Sequence, residues 1–349
     1  MYDTLKDPEV TLETLEETDK NTAEDSVTLS GFTYEFDQGE DEPHLTDGFN
    51  KYYFDIENTF ALEQLCTWLK IKQFKFFNKR SKELQQDIVK ECIGDISKGR
   101  NNTLLKLRNG GTKSYIRAVL HSKHTPVKNS EVLAACQENV AKKDLHAFRC
   151  RGYGLDEPSV NFIYTLKDFI EVNNKKFYLG FDIISSELGD YKFELNANLY
   201  DETEDVYYKI TFNKDSYLTW KYKKDEPDFP GIIGDLVATL QSRKNEIKKG
   251  LEEMFEEFYQ NNEELHKYFD YLELNKVGPE KVIKELKRIV FDDPQYYKTK
   301  YDLANFISHL ATEVEPSDKD NKFWRGKTLA KVNKIETFAG TIMCLDLNL

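Results

Sequence analysis

Apolar residues recur along this chain with two different periods. Between residues 57 and 93 they keep the 3.6-residue spacing of helices. Phe60, Leu62, Leu65, Cys66 and Leu69 form one stripe, and Leu84, Ile88, Val89 and Cys92 a second. Gly94, Gly99 and Asn101-Asn102 then punctuate the chain, and Gly110-Gly111 marks a turn. Residues 114–120 read as a strand, and Asn129-Ser130 suit the cap of a helix over 131–142.

From 146 to 222 the period becomes two. Residues 147–150, 161–166, 177–184, 191–199 and 206–212 are aromatic or β-branched runs parted by Gly, Asn or Asp, with a turn at Leu188-Gly189-Asp190. Past Pro227 and Pro230 one long helix is predicted, from Ile232 to Phe258, followed by helices over 279–291, 301–314 and 328–343. Strands segregated from helices predict an α+β fold: an antiparallel sheet of meanders and hairpins between N-terminal and C-terminal helices. The expected divisions are an acidic tail (1–47), a basic helical segment (48–145), an antiparallel sheet (146–225) and a helical part (226–349). Residues 48–349 are expected to form one body.

Charge sharpens this division. Residues 1–47 carry fifteen Asp and Glu against Lys6 and Lys20, with few aliphatics. They read as a disordered tail in which Phe32, Tyr34 and Phe36 alternate as a short strand or docking motif. Residues 70–151 hold nineteen Lys and Arg against seven acids, so the overall net charge of −13 hides a basic stretch.

The remaining composition narrows the setting. Five scattered cysteines fit no disulfide framework and point to a reducing compartment. Residues 1–8 lack the basic and apolar regions of a signal peptide, and no apolar run approaches the ~20 residues that span a bilayer. The expected location is cytoplasmic, in a bacterial host, with no membrane partner.

Candidate chemistry is sparse. His121-x2-His124 with His146-x3-Cys150 imitates a zinc set but lacks paired Cys-x2-Cys knuckles, so no metal is expected. Residues 94–101 imitate a phosphate-binding loop, yet offer Arg100 and Asn101 where lysine and a hydroxyl are needed. Asp182 and Glu187 flank the best-defined hairpin, and a backbone-bonding role suits Glu187 better than catalysis. No catalytic residue and no cofactor is assigned.

The basic stretch is more informative. Lys70, Lys72, Lys75, Lys79, Arg80 and Lys82 surround Trp68, Phe74, Phe76 and Phe77, while Arg108, Lys113 and Arg117 accompany Tyr115. Cations interleaved with aromatics suit single-stranded nucleic acid, where cations meet phosphates and rings stack on bases at roughly 1–3 kcal/mol each. Arg149 and Arg151 add two cations on a predicted strand.

Three stretches carry a family resemblance. They are Leu107-Arg108 with Tyr115-Ile116-Arg117-Ala118-Val119-Leu120 and Pro126-Val127-Lys128-Asn129; the run 179–189 ending Ser185-Ser186-Glu187-Leu188-Gly189; and residues 299–311. Together they resemble a phage- and plasmid-borne family known mainly as a domain of unknown function (number 932), in which Ser186, Glu187 and Gly189 match a hairpin motif. Ser185 departs from the Asn usual there, and His121-Ser122-Lys123-His124 departs from a Leu-Ser-x-Arg-Tyr pattern. A strand meander followed by a long helix is also similar to phage single-strand annealing proteins, by analogy of fold.

The resemblance implies a mobile-element setting without a mechanism. The resulting expectation is a non-enzymatic phage protein that binds single-stranded or recombining DNA through Lys70, Lys72, Lys75, Lys79, Arg80, Arg108, Lys113, Tyr115, Arg117, Arg149 and Arg151, with a second copy of the chain among its candidate partners. The rival is a protein that binds a host factor, such as a defence-system inhibitor. An enzyme built from dispersed carboxylates ranks last.

Overall fold

The computed structural model describes residues 6–96, 101–125, 127–153, 157–210, 217–220, 228–256, 280–292, 298–312 and 326–344, with residues 266, 269, 270, 273 and 274. The fold is α+β, with ten helices among the described residues and two six-stranded, mostly antiparallel sheets. No helix among those residues is long and apolar enough to cross a membrane.

The expected disordered tail is corrected by the first sheet. Asp7 accepts hydrogen bonds from the Glu9 and Val10 amides and, with Pro8 in the first turn, starts α1 (Pro8–Lys20). β1 (Thr22–Thr28), β2 (Thr33–Phe36) and β3 (Pro43–Thr46) follow. Together with β4 (Lys51–Phe54), β5 (Asn102–Gly110) and β6 (Lys113–His121) they form a sheet of order β1-β5-β6-β4-β3-β2, in which only β4 and β6 run parallel. The sparse aliphatics suffice because most face inward: Leu15, Val27, Leu29, Tyr34 and Leu45 are all buried. Glu24, Asp37, Glu40, Asp41 and Glu42 each meet a cation.

α2 (Phe60–Trp68), α3 (Phe74–Phe77) and α4 (Lys82–Gly94) lie between β4 and β5. Leu62, Leu65, Phe77 and Val89 from these helices pack against Tyr34, Leu45, Phe54 and Leu105 of the sheet. The supposed basic helical segment therefore contains two nine-residue strands as well, β5 and β6.

The second sheet follows α5 (Asn129–Asn139). It comprises β7 (Leu145–Arg151), β8 (Val160–Val172), β9 (Lys175–Ser185), β10 (Phe193–Asp201) and β11 (Val206–Ile210) in consecutive antiparallel order, with β12 (Tyr217–Trp220) also paired to β10. Asn173 and Asn174, both left-handed, make the tight β8–β9 hairpin. α6 (Phe229–Ser242) and α7 (Lys244–Met254) replace the single long helix predicted, and α8 (Glu280–Asp292), α9 (Lys300–Thr312) and α10 (Gly326–Cys344) complete the chain. Arg243 departs from helical geometry between α6 and α7, with ψ near 8°.

Phe162, Phe177, Phe181, Ile183 and Leu195 line one face of this sheet and share a core with Ile233 and Leu236 of α6, Leu251 of α7 and Phe338 of α10. The opposite face is concave. Arg149 on β7 lies 5.4 Å over the ring of Tyr207 on β11, although three strands stand between them. In a flat sheet four intervals of about 4.8 Å would hold these side chains apart. A register shift in β8 between Thr165 and Phe169 and the absence of a side chain at Gly180 accompany the curl. A Cβ at Gly180 would stand 2.3 Å from the Tyr164 carbonyl oxygen and 2.4 Å from Asn198 Oδ1. α10 packs along β11 so closely that a Cβ on Gly340 would stand 1.7 Å from the Lys209 carbonyl oxygen.

Candidate nucleic-acid interface

The expected DNA-binding residues fall into three environments. The first is the corner around α3. Lys70 and Gln73 both adopt left-handed backbone, with φ near 60°, a conformation that costs a non-glycine residue about 1 kcal/mol or more. The Ile71 amide bonds the Cys66 carbonyl and closes the end of α2. Phe77 is buried in the first core and Phe74 packs against it, anchoring the single turn of α3.

What remains faces solvent. Lys70, Lys72, Lys75, Lys79 and Arg80 are exposed, and residues 70–80 contain no acid. None of the five forms an ion pair among the described residues. Phe76 is 57% exposed, and the Arg80 guanidinium lies 3.5 Å from its ring centroid.

The second environment is the face where the acidic segment meets the basic one. Lys106 pairs with Glu24 across β1 and β5, and Lys113 pairs with Glu40 at 2.6 Å and Glu42 at 2.9 Å. These two carboxylates raise the Lys113 pKa by hydrogen bonding. Tyr115 also faces Glu42, while Arg108 binds Asp55 at 2.5 Å and lies over the Tyr115 ring. Lys82 binds Asp41 at 2.7 Å. Glu24, Glu40, Asp41 and Glu42 of the acidic segment are thus paired with cations of the basic one.

Arg117 is buried. Its guanidinium donates to Glu187 at 2.8 Å, with side-chain exposures of 3% and 6%. Glu187 therefore bonds a side chain where backbone amides were expected. The neighbouring Ser186 hydroxyl donates to the Pro158 carbonyl at 2.6 Å and accepts from the Asp190 amide at 2.9 Å. Gly189 is left-handed, and a Cβ there would stand 2.7 Å from the Leu120 side chain. Two stretches of the family resemblance, 115–120 and 185–189, meet at this junction between the sheets.

The third environment is the concave face of the second sheet. Arg149 pairs with Asp205 and lies over the rings of Tyr200 and Tyr207. His146 stacks on Tyr178 at 3.9 Å, with Phe169 beside the same ring. Deeper in, Lys209 binds Asp182 at 2.7 Å and approaches Glu336 of α10 at 3.6 Å. Burial pushes both carboxyls upward in pKa, an effect that Lys209 tempers. Asn333 of α10 also donates to Glu194, so the helix borders the polar face of the sheet.

Sequence reasoning assigned no function to Asp182, Asn196, Asn198, Lys209 or Glu336. The alternation Glu194, Asn196, Asn198 against Phe193, Leu195, Ala197 was legible, but such polar faces ordinarily meet water. The four residues of the zinc-like set are dispersed. His121 lies against Trp68, His124 near Gly189, His146 on Tyr178, and Cys150 in the second core. Among the described residues no three His, Cys, Asp or Glu gather as a metal site. Residues 97–100 of the phosphate-loop imitation lie outside the described residues.

No protein-family model, no curated protein and no solved structure matches the chain.

Proposed function

We propose that this protein binds single-stranded nucleic acid, in the first instance DNA during phage replication or recombination. The α3 corner is its primary phosphate-contacting surface. One observation carries the reading: five exposed cations in an eleven-residue, acid-free turn, held around an exposed phenylalanine. Such a surface neutralises backbone phosphates and offers a ring to a base, and neither contact depends on sequence. Arg108, Lys113 and Arg117 serve the fold in this reading, because acids of the same chain already occupy them.

Five phosphate contacts on a single strand give a slope of about −3.5 in log affinity against log salt, or roughly a 100-fold loss between 50 and 200 mM. The test is titration of the full chain with labelled single strands at those two salt concentrations. Combined Lys72→Glu, Lys75→Glu and Lys79→Glu substitutions should weaken binding to all sequences and make the salt slope shallower by about 2. Unchanged affinity in the triple variant would remove the α3 corner from the interface. Absence of binding by the intact chain would favour recognition of a host protein.

A further inference from the structure

The concave face of the second sheet holds more polar groups than its own contacts use. Asn161, Thr165, Asp182, Asn196, Asn198 and Tyr207 are all at least nine-tenths buried. The Asn161 Oδ1 and both amide atoms of Asn198 have no hydrogen-bond partner among the described residues, while Asn196 lies within hydrogen-bonding reach of Asp182 and Thr165 of Tyr207. The strand register explains their convergence. Asn196 lies opposite Asp182, and Asn198 lies between Gly180 and Lys209, all on the side of the sheet that carries Tyr178, Tyr200 and Tyr207.

A buried polar atom left without a partner is strongly disfavoured. Guest atoms, from water or from a ligand, must therefore complete this interior.

We propose that the guest is a nucleobase, received inside the curl of the second sheet with Asn198 reading its edge; this rests on the strand-binding reading above insofar as the base comes from a bound strand. Three features select that chemistry. The Asn198 amide offers a free donor beside a free acceptor, the pair that an asparagine uses bidentately on a base edge. The site's charges are largely matched internally, Lys209 with Asp182 and Glu336, and Arg149 with Asp205, which suits a neutral planar guest better than a phosphate. Aromatic rings border the site, with Tyr200 and Tyr207 4.9 Å apart under the Arg149 guanidinium, and a base that displaces it can stack on them.

Gly180 leaves the space into which the Asn198 carbonyl leans. The Arg149–Asp205 pair at the rim is open to solvent on the aspartate side, at 62% exposure.

The test titrates the full chain with free deoxynucleosides and, separately, with single-stranded oligonucleotides at 50 and 200 mM salt. Saturable nucleoside binding is expected, nearly independent of salt and weakened at least tenfold by Asn198→Ala. Tyr207→Phe removes a hydroxyl that borders the site and should weaken binding more mildly; circular dichroism confirms that both variants fold. The Lys72/Lys75/Lys79 triple variant should lose oligonucleotide affinity and keep nucleoside binding. Nucleoside binding without oligonucleotide binding would support the base site and refute only the strand-binding reading. No saturable nucleoside binding, or binding untouched by Asn198→Ala, would overturn the base site and leave ordered water as the guest.

Discussion

The Arg117 guanidinium donates to the Glu187 carboxylate at 2.8 Å in a buried pair that ties β6 of the first sheet to the turn after β9 of the second. Beside it, the Gln64 amide donates to the Leu188 carbonyl at 2.8 Å, and its oxygen accepts from the Val119 amide at 2.9 Å. Phe60, Ala118, Leu120 and Leu188 form a small apolar cluster at the same junction. Removing one charge here leaves the other buried and unpaired.

Arg117→Ala should therefore destabilise the fold by about 3–5 kcal/mol, and Glu187→Ala by a similar amount. A double Arg117→Met, Glu187→Leu variant should recover much of the loss, since paired apolar replacements remove both desolvation costs. Denaturant titrations of the three variants measure this. A double variant no more stable than Arg117→Ala would mean that the charges matter for more than each other.

Deleting residues 1–47 should unfold the first sheet. The segment supplies three of that sheet's six strands and five buried apolar side chains, Leu15, Val27, Leu29, Tyr34 and Leu45. At roughly 1.5–3 kcal/mol each, their burial is worth on the order of 10 kcal/mol, about the stability of a whole domain. A 48–349 chain should precipitate or lose cooperative melting, and a melting temperature within a few degrees of the full chain's would contradict the architecture.

Gly340→Val should part α10 from β11. The Cβ position is already filled by the Lys209 carbonyl, and backbone does not yield as a side-chain tip does. A loss of about 3 kcal/mol, at the upper end for overpacking, should appear as a lower unfolding midpoint. Wild-type stability in this variant would mean that the helix sits farther from the strand.

Stability should fall on the acid side of neutrality. Burial lowers the His124 pKa to about 4 and lowers that of His44, whose two ring nitrogens have no hydrogen-bond partner among the described residues. Below about 6.5 the unfolded chain takes up protons that the folded imidazoles refuse, so stability is full above that pH and declines as pH falls toward 4. His124 alone should account for roughly 2–3 kcal/mol of that loss, and His44 adds to it in the same direction. His44→Leu should flatten the decline between pH 6.5 and 5, and an unchanged slope would show that His44 does not carry it.

Much of this architecture is written in local pattern. The stripes at 60–69 and 84–92 became α2 and α4, and the alternation after 146 became β7 to β11, because period and turn residues constrain each segment by itself. Asn173 and Asn174 could end one strand and start another because both tolerate left-handed backbone. The run 70–80 was visible as acid-free and cationic, and its exposure follows from one turn anchored by Phe74 and Phe77.

Other features depend on distant residues. Residues 1–47 look too polar to fold, since nothing local reveals that Glu24 will face Lys106 across β1 and β5, or that Glu40 and Glu42 will reach Lys113. Lys113, Arg108 and Arg117 read as free cations until tertiary contacts give each a carboxylate. The polar stripe Glu194, Asn196, Asn198 reads as a solvent face; only the curl of the second sheet and the packing of α10 beside it turn it inward. Sequence thus determined which segments are helix, strand and charge block, through interactions a few residues long. Tertiary structure decided which charges are neutralised and which polar face is buried, because both depend on pairings that chain separation conceals.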